Sequence, residues 1–318
     1  MIDGEPQIGL RSFNKLPDKT LLRQINPIRP QSELIKQIAS KRETKIDLSL
    51  IENKPYVEMV KDVKQDLIRI YGLNGIKITE DMFPELIISR NKDKINGSSN
   101  TYLGTENVAV VTIDEVPSLF DVIHIYHELG HGISSRTVIL DQEKGENIYF
   151  HTGLRTLNML SKVNTGQILE EGLMRHMSIQ YAANSKDQTA SELRKKFFED
   201  LEKREIVSPG EYPDTDEGRY QAVKENTKSR MDYSYALTTI LDLLQAERAL
   251  NKEQNGKLLS ELLWARVQST RKKGLIRYID SITANGIGSR VITTPLEAEK
   301  IKDLNVDIRD AYLTRVGK

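Results

Sequence analysis

Between residues 57 and 71, Val57, Val60, Val63, Leu67 and Ile70 recur at steps of three and four, the spacing that lines one face of an α-helix. Gly72 and Gly75 follow and are suited to end it. Three β-prone runs come next, at 76–79, 85–89 and 107–113. The last contains Val108-Ala109-Val110-Val111-Thr112-Ile113, a continuous run of the kind a buried strand shows. Pro117 and Ser118 have the chemistry of a helix start. Val122, Ile123, Ile125 and Tyr126 then supply the apolar positions of a helix over 118–134. Residues 137–140 and 147–151 predict a strand pair joined by the polar stretch 141–146. From Gln167 onward the pattern is mostly helical, with helix-spaced apolar residues at 168–183, 191–204, 234–250 and 258–270. The prediction is an α+β chain: a small mixed sheet beside a central helix, followed by a mainly helical C-terminal half.

Composition narrows the class. The 318 residues suffice for a sizeable core. With 38% hydrophobic and 29% charged residues, the chain reads as globular rather than disordered. Lys+Arg and Asp+Glu both number 46, so no bulk charge recruits nucleic acid or an anionic membrane. Neither partner is expected. Residues 11–45 are a local exception, with nine Lys or Arg against three Asp or Glu. Pro17, Pro27 and Pro30 break that segment, so residues 1–55 are expected to form a basic, irregular, solvated arm ahead of one domain over 56–318. In that domain the sheet and central helix extend to about 151, and 152–318 is the helical part. The N-terminus shows no apolar run with a small-residue cleavage site. No stretch of about eighteen apolar residues occurs either. A cytoplasmic location is the expectation. With no cysteine, disulfides, thiolate metal sites and a cysteine nucleophile are excluded.

The chemistry-bearing pattern is His127-Glu128-Leu129-Gly130-His131, an H-E-x-x-H motif. Residues four apart on a helix stack on one face, so both imidazoles can reach one ion. Zinc is the expected metal, and Glu128, beside that face, is the expected base for water that the metal acidifies. Random placement of five His and 46 acids gives about one chance match per hundred such chains. His124 falls on the same stripe, and a structural role is the plainer reading for it.

Two histidines leave a catalytic zinc short of its usual three protein ligands. Glu171 is the leading candidate, in Ile168-Leu169-Glu170-Glu171-Gly172-Leu173 on a second predicted helix. Glu170, His151 and His176 are its rivals; a one-residue step turns Glu170 about 100° away from Glu171. Gly172 is expected to let this helix approach the His127–His131 helix closely.

The positions His127, Glu128, His131 and Glu171-Gly172 resemble the gluzincin group of metallopeptidases, the thermolysin-like zincins. The resemblance spans about residues 107–184. It implies a zincin-like fold, a His₂Glu zinc site and peptide-bond hydrolysis. A metzincin arrangement does not fit, because Ser134 and Thr137 stand where that pattern needs Gly and His. One departure from the gluzincin pattern is Arg175, at the position where an acid usually orients a ligand histidine. The resemblance also implies an oxyanion donor, for which Tyr233 and Tyr235 are candidates at a predicted helix start. It further implies an edge strand for extended substrate, a role expected of 107–113. Arg155 could bind a substrate carboxylate or form a structural salt bridge. Two alternatives stand beside the peptidase: a zincin-like regulatory or binding protein with little turnover, and a secreted effector protease.

Overall fold

The structure, a computed structural model, describes residues 20–25, 54–90, 99–103, 107–113, 117–134, 136–141, 146–158, 164–208, 210–227, 234–250 and 256–317. In chain order its elements are β1 (Thr20–Ile25), α1 (Lys54–Leu73), β2 (Glu85–Arg90), β3 (Ser99–Leu103), β4 (Asn107–Ile113), α2 (Leu119–Gly132), β5 (Arg136–Asp141), β6 (Glu146–Thr152), β7 (Arg155–Asn158), β8 (Asn164–Thr165), α3 (Gln167–Asn184), α4 (Gln188–Lys203), α5 (Asp216–Thr227), α6 (Ser234–Leu250), α7 (Lys257–Val267), α8 (Lys272–Ile282), α9 (Ile287–Thr293) and α10 (Ala298–Arg315). The class is α+β. Two compact units draw on interleaved stretches. One uses the described parts of Pro27–Ile133 and Met174–Asp232, the other those of Met1–Asn26, Ser134–Leu173 and Tyr233–Lys318. Helix α3 begins in the second and continues into the first. Among the described residues, no helix is long and apolar enough to cross a membrane.

The unit containing α2 is built on an apolar helix pair. Tyr56, Met59, Val63, Leu67 and Tyr71 of α1 are buried, as are Val122, Ile123, Ile125, Tyr126 and Leu129 of α2. The predicted stripe is present at its centre, where Val60, Val63 and Leu67 are buried; at its ends burial falls on Tyr56 beside Val57 and on Tyr71 beside Ile70. Each fully buried side chain of this size contributes about 1.5–3 kcal/mol. Polar tips inside this packing find partners: Tyr126 Oη donates to Asp66 Oδ2 at 3.1 Å and Tyr56 Oη to Asp121 Oδ2 at 3.3 Å. Tyr181 Oη of α3 donates to Asp62. Burial pushes both the Tyr126 and Tyr181 hydroxyl pKa values up, and Asp66 and Asp62 add to the effect, so both remain donors.

The start and end of α2 are fixed by local chemistry. Ser118 N donates to Asp121 Oδ2 at 2.9 Å, one half of a capping box. At the other end Gly132 lies so close to Pro84 that an added Cβ would sit 2.3 Å from the proline ring. Helix α2 packs against β4 and β3. The three-stranded sheet runs β2-β4-β3, with β4 parallel to β2 and antiparallel to β3. Two expectations are corrected here. Residues 76–79 form no strand; Ile76 and Ile78 are buried in an extended connection instead. And 107–113 is the central strand, hydrogen-bonded on both sides, so it cannot be the edge that takes up substrate.

The second unit carries a five-stranded antiparallel sheet in the order β1-β5-β6-β7-β8. The predicted pair is present as β5 and β6, with a register shift at Ile139/Leu140. Within the segment read as an irregular arm, Thr20–Ile25 is a strand paired with β5; the rest of 11–45 lies outside the described residues. The helical core of this unit is made by Ile240 and Leu243 of α6, Leu262 and Leu263 of α7, Leu275 and Ile279 of α8, and Leu304 and Ile308 of α10, all buried. Gly172 lets α3 approach α6: a Cβ there would lie 2.3 Å from the Ala236 carbonyl oxygen. The close approach expected of Gly172 therefore serves α6.

Candidate metal centre

Helix α2 aims its two histidines at one point. The Nε2 atoms of His127 and His131 are 3.0 Å apart, and the rings stand nearly perpendicular, 85° between planes, with centroids 4.5 Å apart. Glu128 Oε1 lies 3.9 Å from His127 Nε2. One donor atom from each of His127, Glu128 and His131 falls within 4.8 Å of the others, the one such group of three among the described residues. His127 and Glu128 are buried, and His131 is half-buried.

The donor chemistry fits a metal. Imidazole nitrogens and carboxylates are zinc ligands at about 2.0–2.1 Å, and two nitrogens on one tetrahedral ion lie about 3.3 Å apart. The observed 3.0 Å is close to that bite. It is too short for two lone pairs to face each other without a proton or a cation between them.

The approach of α3 to α2 is made at Gly130, not at Gly172. A Cβ on Gly130 would sit 2.5 Å from Met174 Sδ, so a side chain there would displace Met174 from its present place. Glu171 is buried on α3 but is not one of the three groups that converge. Its rival Glu170 is engaged elsewhere. Arg266 Nη2 donates to Glu170 Oε1 at 2.8 Å, Arg266 Nε to both carboxylate oxygens at 3.1 and 3.2 Å, and Leu154 N to Oε2 at 3.0 Å. Ser134 Oγ links both, 3.4 Å from Glu170 Oε1 and 2.7 Å from Arg266 Nη2. Gly153, with φ +55°, brings backbone against this carboxylate: a Cβ would sit 2.6 Å from Glu170 Oε2.

The other histidines have separate settings. His176 Nδ1 is 2.8 Å from Tyr220 Oη. His124 is buried, and desolvation, with a smaller contribution from the Arg175 charge, lowers its pKa to about 4; it is neutral at pH 7. This fits the structural reading of His124. Arg175 is itself buried. The β6 backbone includes His151, whose side chain lies outside the described residues.

Arg155 Nε donates to Asn164 Oδ1 at 3.1 Å, tying β7 to β8. Tyr235 opens α6 with its ring under Lys302 Nζ at 5.2 Å. Tyr233 lies outside the described residues.

The buried cations Arg266 and Lys272 were not singled out from the sequence. Spacing carried a signal for both. Arg266 follows Leu258 and Leu262 at four-residue steps, and Lys272 precedes Leu275 and Ile279 at three and seven; each cation thus sits on the stripe its helix buries. Lys272 Nζ donates to Leu154 O at 2.7 Å and Thr156 Oγ1 at 3.2 Å. Desolvation lowers its pKa to about 7, against an opposing pull from Glu170.

No protein-family model, no curated protein and no solved structure matches this chain, so the functional reading rests on the residues themselves.

Proposed function

We propose that this chain is a zinc-dependent peptidase of zincin-like type. The observation that carries the reading is the convergence of His127 Nε2 and His131 Nε2 to 3.0 Å with the Glu128 carboxylate beside them. His127 and His131 would hold the ion, and the sequence pattern makes Glu171 the candidate third ligand. Zinc, when bound, supplies a Lewis acid that acidifies water and polarises a carbonyl.

Glu128 does the proton work. Fixed on α2 next to His127, its carboxylate takes a proton from the attacking water and delivers it to the departing amide nitrogen. Burial of His127 and Glu128 limits competing solvent and holds the carboxylate in one place. An extended substrate would pair with a sheet edge; since β4 is central, β3, which pairs only with β4 among the described residues and packs on α2, takes over that role. Tyr233 and Tyr235 keep the oxyanion role on sequence grounds, and Tyr→Phe at each separates them.

Glu128→Gln tests the reading. It should retain metal while hydrolysis of a peptide library falls by about 10²–10⁴-fold. Full activity in that variant would remove Glu128 from the mechanism. Stoichiometric zinc with no cleavage by the wild type would favour the regulatory reading.

A further inference from the structure

The second unit holds an open cleft lined mainly by cations. Helix α7, the short 3₁₀ turn Ser269–Arg271 and helix α8 border an open cleft of about 590 Å³, lined by Lys257, Arg271, Lys273, Arg277 and Tyr278 among others, with Glu261 as the one acid. A second space of about 500 Å³ adjoins it through the shared Arg277 and Ser281. Asp280 borders that second space, and its Oδ1 accepts from Gly288 N at 2.7 Å. The size suits a small-molecule site. Arg271, Lys273 and Arg277 against Glu261 make the lining net positive in a chain whose formal net charge is zero.

Ring faces hold two of these cations in place. The Arg271 guanidinium lies 5.0 Å over the Trp264 ring, and Lys257 Nζ 5.0 Å over the Tyr278 ring. A ring face attracts a cation and fixes its position while its charge remains whole. The Tyr278 ring is fixed in turn, because its hydroxyl donates to Glu247 Oε1 at 2.6 Å. Among the described residues no carboxylate forms an ion pair with Arg271, Lys273 or Arg277. Elsewhere on the same unit Arg290 pairs with Asp307, Lys300 with Glu297 and Lys302 with Glu299. The positive end of α7 already carries Glu247, which accepts from Gly256 N and Leu258 N, so the side chains and not the helix terminus make the cleft attractive to an anion.

We infer that this cleft is a binding site for a small molecule carrying a di- or triphosphate group. A single carboxylate brings one charge, too few to balance Arg271, Lys273 and Arg277 together. Two planar guanidinium forks match phosphate oxygens in geometry, and the open cleft admits a small ligand. The proposal is independent of the metal centre.

Inorganic tripolyphosphate is the probe, titrated into the full chain at about 0.15 M salt, where long-range attraction is screened. Trp264 is the only tryptophan, so its emission reports occupancy beside Arg271, and calorimetry supplies the constants. Saturable 1:1 binding is expected, weakened at least fivefold in the double variant R271Q/R277Q. A control with the same charge loss, R290Q/K300Q, should stay within twofold. Absence of saturable binding, a loss below fivefold in R271Q/R277Q, or comparable weakening in the control overturns the inference.

Discussion

Both units bury acids on helices, and the two settings differ in what faces the carboxylate. Glu170 of α3 meets Arg266, Ser134 and the Leu154 amide: donors and a full counter-charge from its own unit. Glu128 of α2 instead lies in a group with two imidazoles, three side chains whose common chemistry is to give electron pairs to a cation. The first arrangement closes on itself and does structural work. The second is a set of donors that could hold a metal ion. Motif spacing distinguishes them only in part; the identity of the facing groups makes the distinction sharp.

The largest expected effect breaks the closed cluster. Arg266→Ala leaves Glu170 buried without its main counter-charge and should destabilise the fold by about 3–5 kcal/mol, measured by urea denaturation. Glu128→Gln should shift stability by no more than about 1 kcal/mol. Equal losses in the two variants would erase the contrast.

A smaller effect tests how α2 is held. Gly132→Ala places a methyl 2.3 Å from the Pro84 ring, and overpacking of this kind costs about 1–3 kcal/mol. The same denaturation assay should show it, and an unchanged midpoint would mean that α2 is not pinned at Pro84.

A further contrast lies in pH dependence, and the two units should respond in different windows. His124 and Lys272 are bases kept neutral by burial, with folded pKa values below their ordinary ones. The unfolded chain therefore takes up their protons first, and stability falls as pH falls. For Lys272 the fall runs from its ordinary 10.5 to about 7. For His124 it runs from 6.5 to about 4. Lys272→Met should flatten the upper window and His124→Asn the lower one. Slopes that survive these substitutions would assign the dependence to other groups.

Much of this contrast was legible in the sequence, and the illegible part has a physical reason. Helix α2 and the strand pair β5–β6 follow from local periodicity and turn chemistry, and the His127–His131 stacking follows from helix geometry alone. The partners of a strand do not. Residues 107–113 read as a strand, but their central position depends on Glu85–Arg90, which pairs in parallel 23 residues away, and on the hairpin partner Ser99–Leu103, whose polar start Ser99-Asn100-Thr101 lacks the apolar alternation of a strand. Thr20–Ile25 was hidden by its basic, proline-broken surroundings, and its pairing with β5 is tertiary. Gly172 shows the same limit. A need for close approach could be read from the glycine, whereas the neighbour, Ala236 of α6, could not.

The central claim is that His127 and His131 hold a metal, and metal content tests it most directly. Wild type purified without chelator, dialysed against zinc and measured by elemental analysis should carry one zinc per chain. Glu128→Gln should match it, and His127→Ala and His131→Ala should carry at most a tenth as much. Zinc absent from the wild type, or retained at full stoichiometry by both histidine variants, would contradict the account.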